Sequence, residues 1–255
     1  MVTEKGPYPF FGVMSRAKRG TAPFRFVHSC IGATVHYRAA VRCLEHGLNA
    51  RLPGATAHAL LAPQPRRQWP EGFNPAEIRH AAGLLLVFPI ADRAHILLTL
   101  RADTLGRHAG QVSLPGGIVE PGETFEQAAL REAHEEVTLP LADTRVVGAL
   151  TPLDIPVSGF RLHPVVATID RRPEWRPADG EVASILEIAV DGLLDPACLA
   201  SKEDSRDGRR LLVPVFHAGG HEIWGATAMV LAEFLMLLGW PEGGVAASRR
   251  VDPVF

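Results

Sequence analysis

Residues 116–139, GGIVEPGETFEQAALREAHEEVTL, leave the chain little conformational choice. Pro121-Gly122 is a turn signal. Thr124 with Gln127 three residues on forms a capping box, which predicts a helix starting near Phe125. Gly116-Gly117 ends a short apolar run at 112–114, and without Cβ atoms the backbone there can approach a metal or phosphate closely. Any fold containing this stretch must accommodate a loop feeding a helix at a fixed point.

That helix carries Glu132, Glu135 and Glu136. At about 100° per residue, Glu135 lies about 60° to one side of Glu132 and Glu136 about 40° to the other. Like charges three or four residues apart cost roughly 0.2–0.5 kcal/mol per pair even when exposed. Such a trio suits a hard divalent cation, and such a cation points to phosphate chemistry. Ala128 and Ala129 lie one turn upstream on the same face, where small side chains leave room for an ion. Leu130, Ala133 and Val137 are expected to face the core.

Around this unit, strand-sized apolar runs alternate with helical ones. Residues 82–90, 95–100, 112–114, 146–150, 159–170 and 183–188 read as strands. Residues 226–238 read as a helix, nearly all apolar but interrupted by Glu233. It falls short of the about 20 residues a membrane span needs, so packing on the sheet is expected. Interleaving of this kind predicts a layered α/β domain. Tyr37, Ala40, Val41, Leu44 and Leu48 predict a first helix over 36–50. Pro63, Pro65 and Trp69-Pro70 mark residues 62–70 as a linker with no compact structure of its own.

The helix and its glycines resemble the Nudix box, G-x5-E-x7-R-E-U-x-E-E-x-G-U, where U is a bulky aliphatic residue. The matching positions are Gly117, Glu123, Arg131, Glu132, Ala133, Glu135, Glu136 and Leu139. Thr138 stands where the pattern has glycine, which puts the turn after the helix in question rather than the metal site. Just upstream, ILLTLRADTLGRHAGQVSLPGG resembles the coenzyme A pyrophosphatase branch through Leu97, Leu98, Thr99, Arg101, Ala102, Leu105, His108, Gly110, Pro115, Gly116 and Gly117. Residues 158–166, 180–190 and 223–231 are similar to this branch too. The resemblance covers roughly residues 80–240.

It implies an α/β Nudix fold, a mixed sheet sandwiched between helices with a loop–helix–loop box. It also implies hydrolysis of a nucleoside diphosphate derivative with Mg2+ or Mn2+. Glu132 and Glu136 would bind metal directly, Glu135 directly or through water, and the Gly116 carbonyl would be a backbone ligand. Glu123 and Arg131 would pair and tie the loop to the helix. Gly116 and Gly117 would line the substrate. The general base stays open among the three glutamates and a fourth carboxylate, for which Glu181 is the candidate. Arg101 is either a substrate contact, its fork suiting phosphate oxygens, or the partner of Asp103. His108 either contacts substrate or packs its loop. His163 reads as a satisfied core or edge residue, and Trp224-Gly225 as packing.

The implied organisation is a basic, disordered extension at 1–35, a helix and Pro-rich linker at 36–79, the Nudix domain at 80–240 and a tail at 241–255. Residues 1–43 hold Lys5, Arg16, Lys18, Arg19, Arg25, Arg38 and Arg42 against Glu4 alone, without the apolar core of a secretory leader. Cys30, Cys43 and Cys198 are odd in number and widely spaced, read as unpaired, so a cytoplasmic location is expected. A net charge of −2 gives no reason to expect nucleic acid or an anionic membrane as partner. A homodimer is left open. Three functions stay in view: a coenzyme A diphosphatase, a Nudix hydrolase of ADP-ribose, NADH or an oxidised nucleotide, and a non-catalytic nucleotide-binding module.

Overall fold

A computed structural model describes residues 34–102, 110–206 and 208–240. In chain order the elements are α1 (Tyr37–Leu48), α2 (Ala55–Leu60), β1 (Arg79–Ile90), β2 (Arg93–Arg101), β3 (Val112–Ser113), β4 (Gly116–Ile118), α3 (Phe125–Val137), β5 (Arg145–Ala149), β6 (Leu153–Ile155), β7 (Phe160–Thr168), β8 (Val182–Ala189), α4 (Val190–Leu194), β9 (Leu199–Arg206), β10 (Arg209–Ala218), β11 (His221–Trp224) and α5 (Gly225–Leu237).

The main sheet is mixed. β1 is central, antiparallel to β2 and β4 and parallel to β7, with Arg79 opposite Phe160 and Val87 opposite Thr168. β8 pairs β2, while β5 and β6 pair β7. The strands are apolar on both faces because both are covered. Along β1, Leu85 and Val87 join the cluster formed with α1, α2 and α5. Ala82, Leu84, Leu86 and Phe88 join a second cluster built on α3. This alternation at period two makes an α/β/α layering.

Both ends of α3 are set by the chain itself. Thr124 Oγ1 accepts from the Gln127 N–H at 3.2 Å, and Gln127 Oε1 accepts from the Thr124 N–H at 2.9 Å. Thr138 closes the helix in the left-handed conformation, φ 59° and ψ 43°, so a β-branched residue takes up the backbone geometry glycine usually serves. The core-facing stripe differs from the expected one. Ala128 and Ala129 are fully buried with Ala133 and Val137, whereas Leu130 is half-buried. The two alanines therefore let the helix approach β1 and do not make room for an ion.

Residues 62–70 are fastened to the domain, contrary to the linker reading. Ala62 is buried, and Gln64 exchanges backbone hydrogen bonds of 2.8 and 2.9 Å with Leu212 of β10. The sheet β9–β11 is a further element absent from the sequence reading. α5 is buried on nearly every side, and among the described residues no helix is long and apolar enough to cross a membrane. Its Glu233 is wholly buried yet accepts from the N–H groups of Gly54 (2.9 Å) and Thr151 (3.0 Å) and the Thr151 hydroxyl (2.7 Å), with His58 Nε2 at 3.1 Å. Cys43 is disulfide-bonded, which corrects the reading of three unpaired thiols and removes that support for a reducing compartment; Cys198 is free and buried. The expected extension and tail lie outside the described residues.

Candidate active site

Arg131 organises the exposed side of α3. Its guanidinium donates from Nε to Glu123 Oε1 at 2.7 Å and from an NH2 nitrogen to Glu123 Oε2 at 3.0 Å. The same group donates to the Ile118 carbonyl at 3.2 Å, to Glu132 at 2.9 Å and to Glu135 at 3.2 Å. This planar fork joins β4, the turn and the helix in one network. Arg131, helped by the Glu120 N–H, holds the Glu123 carboxyl down at about 2. The reciprocal interaction, first with Glu123 and then Glu132, raises the Arg131 guanidinium.

Glu136 lies apart from this network. Burial, then the charge of Glu132, pushes its carboxyl up to about 7, against a lowering by the Gly116 N–H and by Arg101. Its Oε2 is buried and has no hydrogen-bond partner among the described residues. A buried carboxylate oxygen without a partner is costly unless a cation or proton meets it. The backbone is shaped to the neighbouring carboxylate as well. A Cβ on Gly117 would stand 2.4 Å from the Glu132 carboxylate carbon.

Two further charged residues reach Glu136 from other elements. The helix carbonyls of Glu136 and Val137 accept from the N–H groups of Ala178 (2.8 Å) and Arg176 (3.3 Å), which brings residues 176–182 against the end of α3. The Ala102 N–H donates to the Glu181 carbonyl at 3.0 Å, joining the end of β2 to the start of β8. A register shift in the β2–β8 pairing falls at Leu100 and Arg101. The Arg101 and Glu181 charges both act on the Glu136 carboxyl.

The expected residues thus gather as two groups, Glu123, Arg131, Glu132 and Glu135 in one and Glu136, Gly116, Arg101 and Glu181 in the other, with Glu132 coupled to both. Among the described residues no three acids, histidines or cysteines already stand at metal-binding distance, and Glu132 and Glu135 are both hydrogen-bonded to Arg131. The donor set still fits a hard divalent cation: oxygen ligands, an excess of carboxylates and one orphaned buried oxygen. Gly116 meets Glu136 through its N–H. His108 and Asp103 lie outside the described residues.

His163 is a half-buried residue of the interior strand β7 with partners on its ring. It stacks on Phe125 with centroids 3.5 Å apart and meets His80 Nδ1 through Nε2 at 2.8 Å. Burial, then His80 and Arg161, lowers its pKa to about 4. Trp224 packs under the Lys202 ammonium, 4.9 Å from its ring centre, and also lines a cavity.

That cavity is the feature the sequence reading missed. It measures about 980 Å³ and runs from Arg101 and Gln111–Ser113 past the β6–β7 turn to the start of α5 and the 63–70 segment. Arg66 and Arg67, within a run read as linker, were the available signal.

A family model described as the NUDIX domain matches residues 79–204. The Nudix hydrolase NudL of Salmonella newport, itself uncharacterised, is 36% identical over 164 residues, 63% of this chain and 83% of that protein. The chain belongs to the Nudix hydrolase family. Hydrolases of this family generally use a divalent metal such as Mg2+ or Mn2+. Among solved structures, the Nudix hydrolase RenU of M. smegmatis aligns at 30% identity over 45% of this chain and 73% of its own, with a TM-score of 0.37. The Ap4A hydrolase of C. elegans aligns at 20% identity over 46% and 84%, with a TM-score of 0.38.

Proposed function

We propose that this Nudix hydrolase cleaves the diphosphate bridge of coenzyme A or an acyl-coenzyme A, giving 4′-phosphopantetheine and adenosine 3′,5′-bisphosphate. The observation that carries a metal-assisted diphosphate cleavage is the buried, unpartnered Glu136 oxygen beside Glu132, Glu181, Arg101 and the Gly116 N–H. The choice of coenzyme A is supported by the run from Leu97 to Gly117 that resembles the coenzyme A pyrophosphatase branch.

Glu132 and Glu136 would hold Mg2+ or Mn2+, with Glu135 as a further or water-mediated ligand. When bound, the ion neutralises diphosphate charge and acidifies water. Gly117 leaves room for the Glu132 carboxylate, and Gly116 allows the close approach of β4 to the β1 backbone. Glu123 and Arg131 position Glu132 and Glu135 through the fork described above. Arg101 meets the diphosphate and takes up the charge of the departing phosphate. Glu181, outside the Arg131 network, is the carboxylate left to accept the proton of the attacking water. One P–O bond forms from that water and the bridging P–O bond breaks.

Purified protein with Mg2+ or Mn2+ should split coenzyme A between its two phosphates, and Glu132→Gln or Glu136→Gln should abolish this. Fast cleavage of ADP-ribose with none of coenzyme A would overturn the substrate and leave the diphosphate chemistry standing. A non-catalytic module would require Glu136→Gln to leave every activity unchanged.

A further inference from the structure

The cavity beside the carboxylates is larger than a diphosphate needs. Its volume of about 980 Å³ lies at the top of the roughly 300–1,000 Å³ range of small-molecule sites. Arg101 marks the end next to Glu136. The other walls come partly from outside residues 79–204, the span of the family domain: the 63–70 segment, Leu211 of β10 and Met229 of α5. The Gln64–Leu212 backbone pairing holds the first of these walls in place.

The lining is of two kinds. Leu153, Ile155, Val157, Phe160, Leu211 and Met229 are apolar. The charged residues are Arg66, Arg67, Arg101 and Asp154. Asp154 already accepts from Arg161 at 2.6 and 3.2 Å and from Trp69 Nε1 at 3.3 Å. Arg161, first by hydrogen bond, holds its carboxyl below the usual range, with a smaller effect from the charge of Arg66. The aspartate is thus balanced by Arg161, and among the described lining residues Arg66 and Arg101 add positive charge to the cleft.

An apolar-lined cleft that also carries Arg66 and Arg101 suits a ligand with an aliphatic arm and more than one anionic group. The geometry points to Arg66 as the residue that binds a phosphate monoester of the substrate lying outside the scissile diphosphate. This rests on the reading above that the diphosphate sits at Glu132, Glu136 and Arg101. Arg66 then selects nucleoside diphosphate derivatives bearing that extra phosphate, and the 63–70 segment is a specificity wall.

Two matched pairs of probes test it: coenzyme A against 3′-dephospho-coenzyme A in turnover, and adenosine 3′,5′-bisphosphate against AMP in binding calorimetry. A charge-assisted contact is worth roughly tenfold or more in each ratio. Wild type should favour the 3′-phosphorylated member by that factor, mainly through KM and Kd. Arg66→Gln should bring both ratios near one, and Arg66→Lys should recover part of the preference. Failure to cleave either coenzyme would sink the proposed reaction, while the nucleotide pair would still read the cleft. Cleavage of both coenzymes at equal efficiency, or a nucleotide preference that Arg66→Gln leaves intact, would overturn the role of Arg66 and keep the reaction.

Discussion

Gly117 and Glu132 occupy adjoining space: a methyl group on the glycine would fall 2.4 Å from the carboxylate carbon. The obstacle is the far end of a flexible side chain, which can swing away. Gly117→Ala should therefore keep its melting temperature within a few degrees while metal affinity and turnover drop about 10–100-fold, since Glu132 is displaced. The neighbouring glycine should behave in the opposite way. A Cβ on Gly116 would lie 2.2 Å from the Ala82 carbonyl oxygen and 2.7 Å from the Gly83 Cα, both backbone. Gly116→Ala is expected to cost about 3 kcal/mol in denaturant unfolding. Equal melting temperatures for the two variants would refute this division.

The Glu136 carboxyl gives the metal-free protein a specific pH signature. Its folded pKa of about 7 lies above the usual carboxylate value, so between that value and 7 the folded state holds a proton the unfolded state has lost. Stability from this group is present at low pH and lost as pH rises to about 7, by up to about 3 kcal/mol. In EDTA, the stability of wild type relative to Glu136→Gln should fall across this window and level off above it. Adding Mg2+ at pH 8 should stabilise wild type more than the variant. A flat difference between the two would refute the assignment.

Glu233 should respond with the opposite sign. Burial alone would raise its carboxyl, but the bonds from His58, Thr151 and Gly54 outweigh this and lower it. Its contribution is present above the ordinary carboxylate range and lost as pH falls below it. Glu233→Gln keeps the shape but turns an amide NH2 toward existing donors, so a loss on the order of 3 kcal/mol is expected. Urea unfolding at pH 7 measures it; a loss below about 1 kcal/mol would show that the network contributes little.

Thr138 should be improvable. A β-branched residue at φ 59° is strained, and its hydroxyl makes only an exposed bond of 3.2 Å to the Arg176 carbonyl. Thr138→Gly is expected to stabilise by about 0.5–1 kcal/mol, raising the melting temperature by about 2 °C without changing turnover. An unchanged or lower melting temperature would show that the hydroxyl bond outweighs the strain.

The parts of the fold legible in the sequence are those fixed by neighbours in the chain. Thr124 and Gln127 set the start of α3, and the doubly buried runs of β1 and β2 announce themselves by composition. Residues 63–70 did not, because proline gives no periodic pattern and their order comes from pairing with β10. β9, LASKEDSR, lacks the expected alternation, and its strand state follows from its pairing with β10. Helical angles grouped the three glutamates but could not show that Arg131 would take two of them and leave Glu136 among Gly116, Arg101 and Glu181. The partners of Glu233 lie 82 to 179 residues away, out of reach of local pattern.

The parallel pairing of β1 with β7 sets an order of assembly. Arg79 lies opposite Phe160, and β4, α3 and all four box glutamates fall within the stretch of chain that this pairing closes. Closing so long a loop is entropically costly and slow compared with forming α3 locally. A ribosome-bound chain stalled with residue 150 just outside the tunnel would therefore expose the capped helix and its carboxylates with β1, β2 and β4 at hand but without β7 and β8. Competence for metal should arrive abruptly once residues 160–168 emerge, and pulsed proteolysis of nascent chains would time that step.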